Sequence, residues 1–456
     1  MPSQPTLYID LFHYSMVKAS LHDPDPSLLR GINRVASEYA KRQETFVGFS
    51  AVHYFGSRLP SITQAIFSAS GISSLSTPSI PSCRERVLDA INRLERNLRS
   101  HVGSFELARK AFAGLRYLAR AKLMRDFYSP GEVRRGDLWL SACTHLTPEV
   151  RALPATRVVI CYDLNQVYHY REMGLDAPRL SPLENPGLDV RNDEWVICIS
   201  EYTRKCFLRY HEGFPPDRVF VVPLGSDLGG DLPAEDACAT LGALGLSAEK
   251  YFLTLAAGGN HKNSSFIVEE FIEWLGQSES RNGTKLVLVG IGQDMIRSRL
   301  SNRAQTGVLD EHIVFTGFVP DKTLPALYGN SLAFVFASLA EGFGLPPLEA
   351  MAYGAPVLCS DRTSLPEVVG DAGLLFDPTQ KGDLTNLFTR ISLDQGLRER
   401  LQHKGKLRAA EYTWERSTRE LARVLQHINK IESARMEGNK DSKRLNTSAR
   451  NTNEID

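Results

Sequence analysis

Ala333-Phe334-Val335-Phe336 leads through Ala337-Ser338-Leu339-Ala340 into Glu341-Gly342-Phe343-Gly344-Leu345-Pro346-Pro347-Leu348-Glu349. The first four residues form a short apolar run of the kind that makes a fully buried strand. Two carboxylates then bracket a glycine-containing loop, and two prolines stand where a helix should begin. The pattern predicts a helix over Leu348 to Tyr353, with Gly354 as its stop. Strand, loop and helix in that order put the loop at the carboxyl end of a strand. Backbone N–H groups at such a place favour an anion such as a diphosphate. Glu341 at the loop mouth and Glu349 one turn inside the helix are poor anion ligands, and both suit hydroxyl groups instead. A ligand with phosphates in the middle and a sugar ring at each end, a nucleotide sugar, meets both demands.

Outward from this stretch, short apolar runs recur with helical stretches between them. They are Leu7 to Leu11, Phe46 to Val52, Leu138 to Ala142, Val158 to Cys161, Trp195 to Ile199 and Val219 to Val222. The second half continues with Phe252 to Ala256, Leu286 to Val289, Ile313 to Phe315, Ala333 to Phe336 and Pro356 to Cys359. Alternation of this kind implies an α/β fold with parallel sheets covered by helices on both faces. A length of 456 residues is too much for one core and suits two domains. The Gly-rich segment from Pro223 to Gly230 is read as the linker. The expected division is 1–225, 226–410, a C-terminal helix over 411–435 packing back on the N-terminal domain, and a disordered tail over 436–456 that is rich in Asn, Ser, Lys and Arg.

Lys plus Arg and Asp plus Glu both number 53, so the overall charge points to no particular partner. The seven cysteines are scattered with no metal-ligand spacing, which fits a reducing compartment. No signal peptide and no membrane-spanning apolar run is read, so the expected location is cytoplasmic, with any membrane contact peripheral. One segment stands out. Residues 84–125 carry eleven basic and four acidic side chains on an amphipathic helical pattern. Such a segment fits either a solvated face or a surface for anionic lipid.

At these residues the chain resembles the retaining glycosyltransferases of family 4, which have the GT-B fold. Glu341 to Glu349 resembles their E-x7-E signature, and Ala350-Met351-Ala352-Tyr353-Gly354-Ala355-Pro356-Val357 its continuation. Gly317-Phe318-Val319-Pro320 with Leu324 and Leu327 is similar to the segment before it, and Ser360-Asp361 with Leu365-Pro366-Glu367-Val368 to the loop after it. Ile199-Ser200-Glu201-Tyr202-Thr203 and Val221-Val222-Pro223-Leu224-Gly225 resemble the end of the family's N-terminal domain.

The resemblance implies roles for single residues. Glu349 would hold the ribose hydroxyls of the donor, and Glu341 would face the transferred sugar. Val319 and the backbone of Phe343, Gly344 and Leu345 would line the donor site. Lys262, in Gly258-Gly259-Asn260-His261-Lys262-Asn263, would bind the diphosphate and stabilise it as a leaving group. Gly31 resembles the glycine-containing loop that closes over the phosphates. The family often carries an Arg where this chain has Ala257, and a His-Asp pair where it has Tyr162-Asp163. Tyr162 and Asp163 are therefore expected beside the sugar, although tyrosine is a poor base near neutral pH.

The reaction so implied moves a hexose, with mannose foremost, from a GDP- or UDP-sugar to an acceptor hydroxyl. Retention at the anomeric carbon is implied, with no metal and no further cofactor. The acceptor would be a polysaccharide or a lipid-linked saccharide, and no nucleic-acid partner is expected. Two other readings stand beside this one. A non-catalytic sugar-nucleotide-binding protein on the same fold would accommodate Tyr162 and Ala257. A retaining glycoside hydrolase would need its two carboxyls about 5–5.5 Å apart, which a Glu349 placed inside a helix behind the loop argues against.

Overall fold

The apolar runs become two parallel sheets in a computed structural model that describes residues 4–10, parts of 35–55, 133–167 with gaps, 186–226, 234–256, 260–277, parts of 281–296, and 311–451. The first sheet is built from β1 (Thr6–Asp10), β2 (Ala51–Phe55), β3 (Leu138–Ser141), β4 (Thr156–Cys161), β5 (Trp195–Cys198) and β6 (Val219–Val221). Its strand order is β2-β1-β3-β4-β5-β6. The second contains β7 (Tyr251–Ala256), β8 (Lys285–Gly290), β9 (Ile313–Gly317), β10 (Ala333–Phe336), β11 (Val357–Ser360) and β12 (Leu374–Phe376), in the order β12-β11-β10-β7-β8-β9. All the pairings are parallel. Helix-covered parallel strands are buried on both faces. That is why β3, β5, β10 and β11 are buried at every residue and apolar without alternation, apart from the closing Ser141 and Ser360.

The second sheet fixes where a ligand can sit. Its chain moves outward from β7 through β8 to β9, then jumps back so that β10 lies on the other side of β7, with Phe334 opposite Leu253. Strand order reverses between β7 and β10, and the crevice at their carboxyl ends is where sheets of this class bind ligands.

Among the described residues the chain crosses between the sheets twice, and the crossings touch. Ser226 N–H donates to Tyr412 O at 2.8 Å, and Ser417 Oγ donates to Pro223 O at 2.6 Å. A Cβ on Gly225 would lie 2.3 Å from Thr413 C, so only glycine allows this approach. After the second crossing a long helix (Trp414–Asn451) returns along the first sheet. Trp195 Nε1 donates to Glu432 Oε1 at 3.1 Å, Tyr39 OH and Ser417 Oγ are 3.1 Å apart, and Arg42 bridges to Glu415 at 2.8 Å.

Three expectations are corrected. The stretch from Met436, expected to be a disordered tail, continues this helix through Asn451. Its Glu, Lys, Arg, Met and Ala residues are good helix formers, and a fully formed helix precedes them, so no new nucleation is needed. The second strand begins at Ala51 rather than Phe46, whose ring is buried in the core ahead of the strand. β12 was not anticipated: it is three residues long, and Leu375 is exposed at the sheet edge. The basic segment 84–125, Gly31 and Ala257 lie outside the described residues.

Candidate active site at the switch point of the second sheet

Two loops leave the strands that flank the switch point, and each delivers one of the expected residues. The loop after β7 ends in a 3-10 turn, Asn260–Lys262. The loop after β10 carries Glu341. The two are tied together by backbone, because His261 O accepts from Leu339 N–H at 2.7 Å and from Ser338 Oγ at 3.2 Å. Asn263 takes a left-handed conformation and anchors the turn by donating from Nδ2 to Pro378 O at 2.9 Å. Lys262 Nζ thereby comes within 2.5 Å of Glu341 Oε1, with its ammonium 5.4 Å from the centre of the Phe336 ring. Neither side chain is fully buried, so both remain open to a ligand.

The helix after Glu341 (Leu345–Ala352) begins three residues earlier than the sequence pattern suggests. Gly344 takes the position before it with φ +117°, a conformation glycine adopts readily. Pro346 and Pro347 lie inside the first turn. They have no N–H, so the first turn keeps Leu345 N–H as a donor while Leu348 N–H closes back on Gly344 O at 3.4 Å. Donors for an anion must therefore come from the loop itself, at Gly342 to Leu345.

That loop is held by hydroxyl side chains. Thr363 Oγ1 accepts from Glu341 N–H at 3.0 Å, and Thr363 holds φ +56°, a strained conformation for a β-branched residue. Ser364 Oγ lies 3.0 Å from Glu341 O and 2.8 Å from Phe343 O. Gly342 O accepts from Ser200 Oγ at 2.8 Å and from Thr203 Oγ1 at 3.2 Å, both from the other domain. Sequence reasoning gave Ser200, Thr203, Thr363 and Ser364 no role. The Ser200-x-x-Thr203 spacing is a helix N-cap signal, since Ser200 Oγ accepts from Thr203 N–H at 3.0 Å, but nothing in the sequence shows what lies across from it.

The remaining candidates divide. Glu349 is the fifth residue of the Leu345–Ala352 helix and half-buried. Phe343 is buried with its ring 5.7 Å from that of Tyr412, and Val319 is buried after β9. Asp163 borders the loop, since a Cβ on Gly342 would lie 2.9 Å from Asp163 Cβ. Tyr162 does not take the place expected of it. Its side chain is buried in the first domain and its hydroxyl donates to Ala142 O at 2.6 Å. Alternation along an extended chain puts the ring in the core. Only its carbonyl reaches the loop, where a Cβ on Gly342 would meet it at 2.1 Å. Among the described residues no group of three or more His, Cys, Asp or Glu is arranged to hold a metal ion.

Residues 244–408, which include Lys262 and the whole Glu341–Glu349 segment, match the model of the family described as glycosyl transferases group 1. The O-antigen chain mannosyltransferase B of Escherichia coli is 34% identical over 227 residues, covering 49% of this chain and 58% of that protein. The serotype-specific mannosyltransferase WbdA of Escherichia coli is 28% identical over 296 residues, covering 63% of this chain and 36% of that protein. The chain thus spans between about a third and three fifths of the length of these curated relatives. Among solved structures, Anabaena HepE in complex with UDP and glucose superposes with a TM-score of 0.57 at 16% identity, covering 93% of this chain and 100% of that one. Sucrose-phosphate synthase from Thermosynechococcus elongatus superposes with a TM-score of 0.59 at 16% identity, covering 93% and 99%. The two-sheet architecture is the GT-B fold of these glycosyltransferases.

Proposed function

We propose that the chain is a retaining, metal-independent glycosyltransferase. It moves a hexose, mannose foremost, from a nucleotide diphosphate sugar to an acceptor hydroxyl in bacterial polysaccharide or lipid-linked oligosaccharide synthesis. The observation that carries this reading is the pairing of Lys262 with Glu341 at the switch point of the second sheet, beside a loop that offers backbone donors. The similar Escherichia coli proteins are mannosyltransferases, which supports mannose as the sugar.

In this reading the diphosphate lies against Lys262 and the N–H groups of Phe343, Gly344 and Leu345. These take up the negative charge that grows on the leaving oxygen as the bond to the anomeric carbon breaks. Glu349 accepts from the ribose hydroxyls and Glu341 from hydroxyls of the sugar. With the Tyr162 hydroxyl committed to Ala142 O, the acceptor's proton passes to the departing phosphate oxygen, and attack comes from the face the phosphate leaves.

The test is incubation with GDP-mannose and UDP-glucose in turn, with saccharide acceptors and excess chelator. Nucleoside diphosphate release and the anomeric configuration of the product are followed by NMR. Transfer with retention in chelator is expected. Inversion, or restoration of the rate by Mg²⁺ or Mn²⁺, would overturn the corresponding part of the reading. Tight nucleotide binding with no transfer to any acceptor would favour the non-catalytic alternative. A lipid-linked acceptor would place the N-terminal domain and its 84–125 segment at an anionic bilayer. Salt-sensitive co-sedimentation with anionic but not neutral vesicles is the outcome expected there.

A further inference from the structure

The Gly342–Phe343 peptide belongs to the second domain, yet its carbonyl is held by the first. Ser200 and Thr203 stand at the start of a ten-residue helix (Glu201–Tyr210), and both hydroxyls converge on Gly342 O. The two side chains and Gly342 are all buried. The same helix start is fixed to the second domain by a carboxylate. Glu367 Oε1 accepts from Glu201 N–H at 2.9 Å and Glu367 Oε2 from Tyr202 N–H at 3.2 Å, satisfying two of the helix's otherwise unpaired donors. On its other side the loop abuts the Tyr162 carbonyl, so close that residue 342 has room for no side chain.

A trans peptide is planar, and its C=O and N–H point in opposite directions. Fixing Gly342 O against Ser200 and Thr203 therefore fixes the direction of Phe343 N–H, away from the first domain's helix. If the two domains part, both hydroxyls leave and the peptide is free to turn. We infer that Ser200 and Thr203 are positioning residues for the donor. They aim Phe343 N–H at the diphosphate, so this anion contact is complete only when the two domains are together. The inference rests on the nucleotide-sugar reading above. It adds that part of the diphosphate site is set by residues of the domain that does not hold the nucleotide.

The test compares the wild type with Ser200→Ala/Thr203→Val, which removes both hydroxyls, and with Thr203→Ser, which keeps one proton at each position. Binding of GDP and UDP is measured by calorimetry, and binding of guanosine and uridine by ligand-observed NMR. The double variant should bind whichever diphosphate the wild type prefers about tenfold more weakly, the size of one lost charge-assisted hydrogen bond. Its nucleoside affinity should stay within about twofold, and Thr203→Ser should restore the diphosphate affinity. A merely structural role would weaken both ligands in proportion. Proportional loss, or no loss, overturns the inference. Ser200 also caps its helix, so the double variant can lose stability. Thr203→Val alone leaves the cap intact and should show a smaller loss of the same selectivity; its absence counts against the inference equally. Wild type that binds neither GDP nor UDP would instead defeat the nucleotide-sugar reading itself.

Discussion

Lys262 and Glu341 neutralise each other across the switch point of the second sheet, Nζ to Oε1 at 2.5 Å. A diphosphate arriving there competes with the carboxylate for the same ammonium. Glu341→Gln should therefore bind the nucleoside diphosphate at least as tightly as the wild type, because the lysine is released from its partner. Transfer should fall by about a hundredfold or more, because the group facing the sugar is lost. Lys262→Ala should do the reverse to binding, weakening the diphosphate far more than the nucleoside. Calorimetry with both ligands, beside turnover and circular dichroism, checks the pair. Near-normal turnover in folded Glu341→Gln would remove the residue from the chemistry.

Glu349→Ala should weaken nucleotide binding by about 1.5–3 kcal/mol for each hydroxyl bond lost. The loss should be the same for nucleoside and nucleoside diphosphate, since the ribose is common to both. Unchanged affinity would leave Glu349 as a helix-start carboxylate only.

Gly342→Ala should separate the domains without unfolding either. The new methyl would sit 2.1 Å from Tyr162 O, and relief by backbone shifts costs about 1–3 kcal/mol. Transfer should drop by about tenfold to a hundredfold, and small-angle scattering should report a larger radius of gyration. An unchanged radius with full activity would contradict the close approach.

Tyr162→Phe should keep transfer close to wild type. It deletes the hydroxyl that satisfies Ala142 O, so about 1–3 kcal/mol of stability should go. A collapse of turnover with stability intact would return the tyrosine to the reaction.

Acid should loosen the terminal helix from the first domain. Arg42 joins Glu38 at 2.6 Å to Glu415 at 2.8 Å. Burial works to raise the Glu38 pKa, but hydrogen bonds from Lys41 and Arg42 hold it below the usual carboxylate range. For Glu415 burial likewise raises it, and the hydrogen bond from Arg42 brings it down. Groups whose folded pKa is depressed stabilise the fold above their unfolded pKa of about 4.3, and that stability is lost as pH falls through the lower folded value. Arg42→Met should lower the melting temperature at pH 7, and the difference from wild type should shrink as pH falls below about 4. A difference independent of pH would show that the arginine acts by packing alone.

What was legible in the sequence follows the physics of burial. β10 and the segment after it could be read because a strand buried on both faces must be apolar throughout, and because Gly344 permits the turn before the helix while the two prolines restrict the backbone at its start. Lys262 and Glu341 were both read as site residues, but their contact was not legible. It depends on β10 returning to the far side of β7, a reversal that no local pattern records. Tyr162 misled because its backbone does border the loop while its side chain faces the other way. Ser200, Thr203, Thr363 and Ser364 stayed hidden for a related reason: a hydroxyl's partner is chosen by space, not by sequence spacing. The helix beyond Met436 was missed because a polar segment was judged by what it could bury rather than by what already preceded it.

The paired crossings at Gly225 and Thr413 have a mechanical consequence. Two segments laid side by side and bonded to each other act as one double tether, so neither crossing can move without the other. Any parting of the two domains must therefore turn about these bonded crossings, and it must first break the contacts that Ser200 and Glu367 make across the interface.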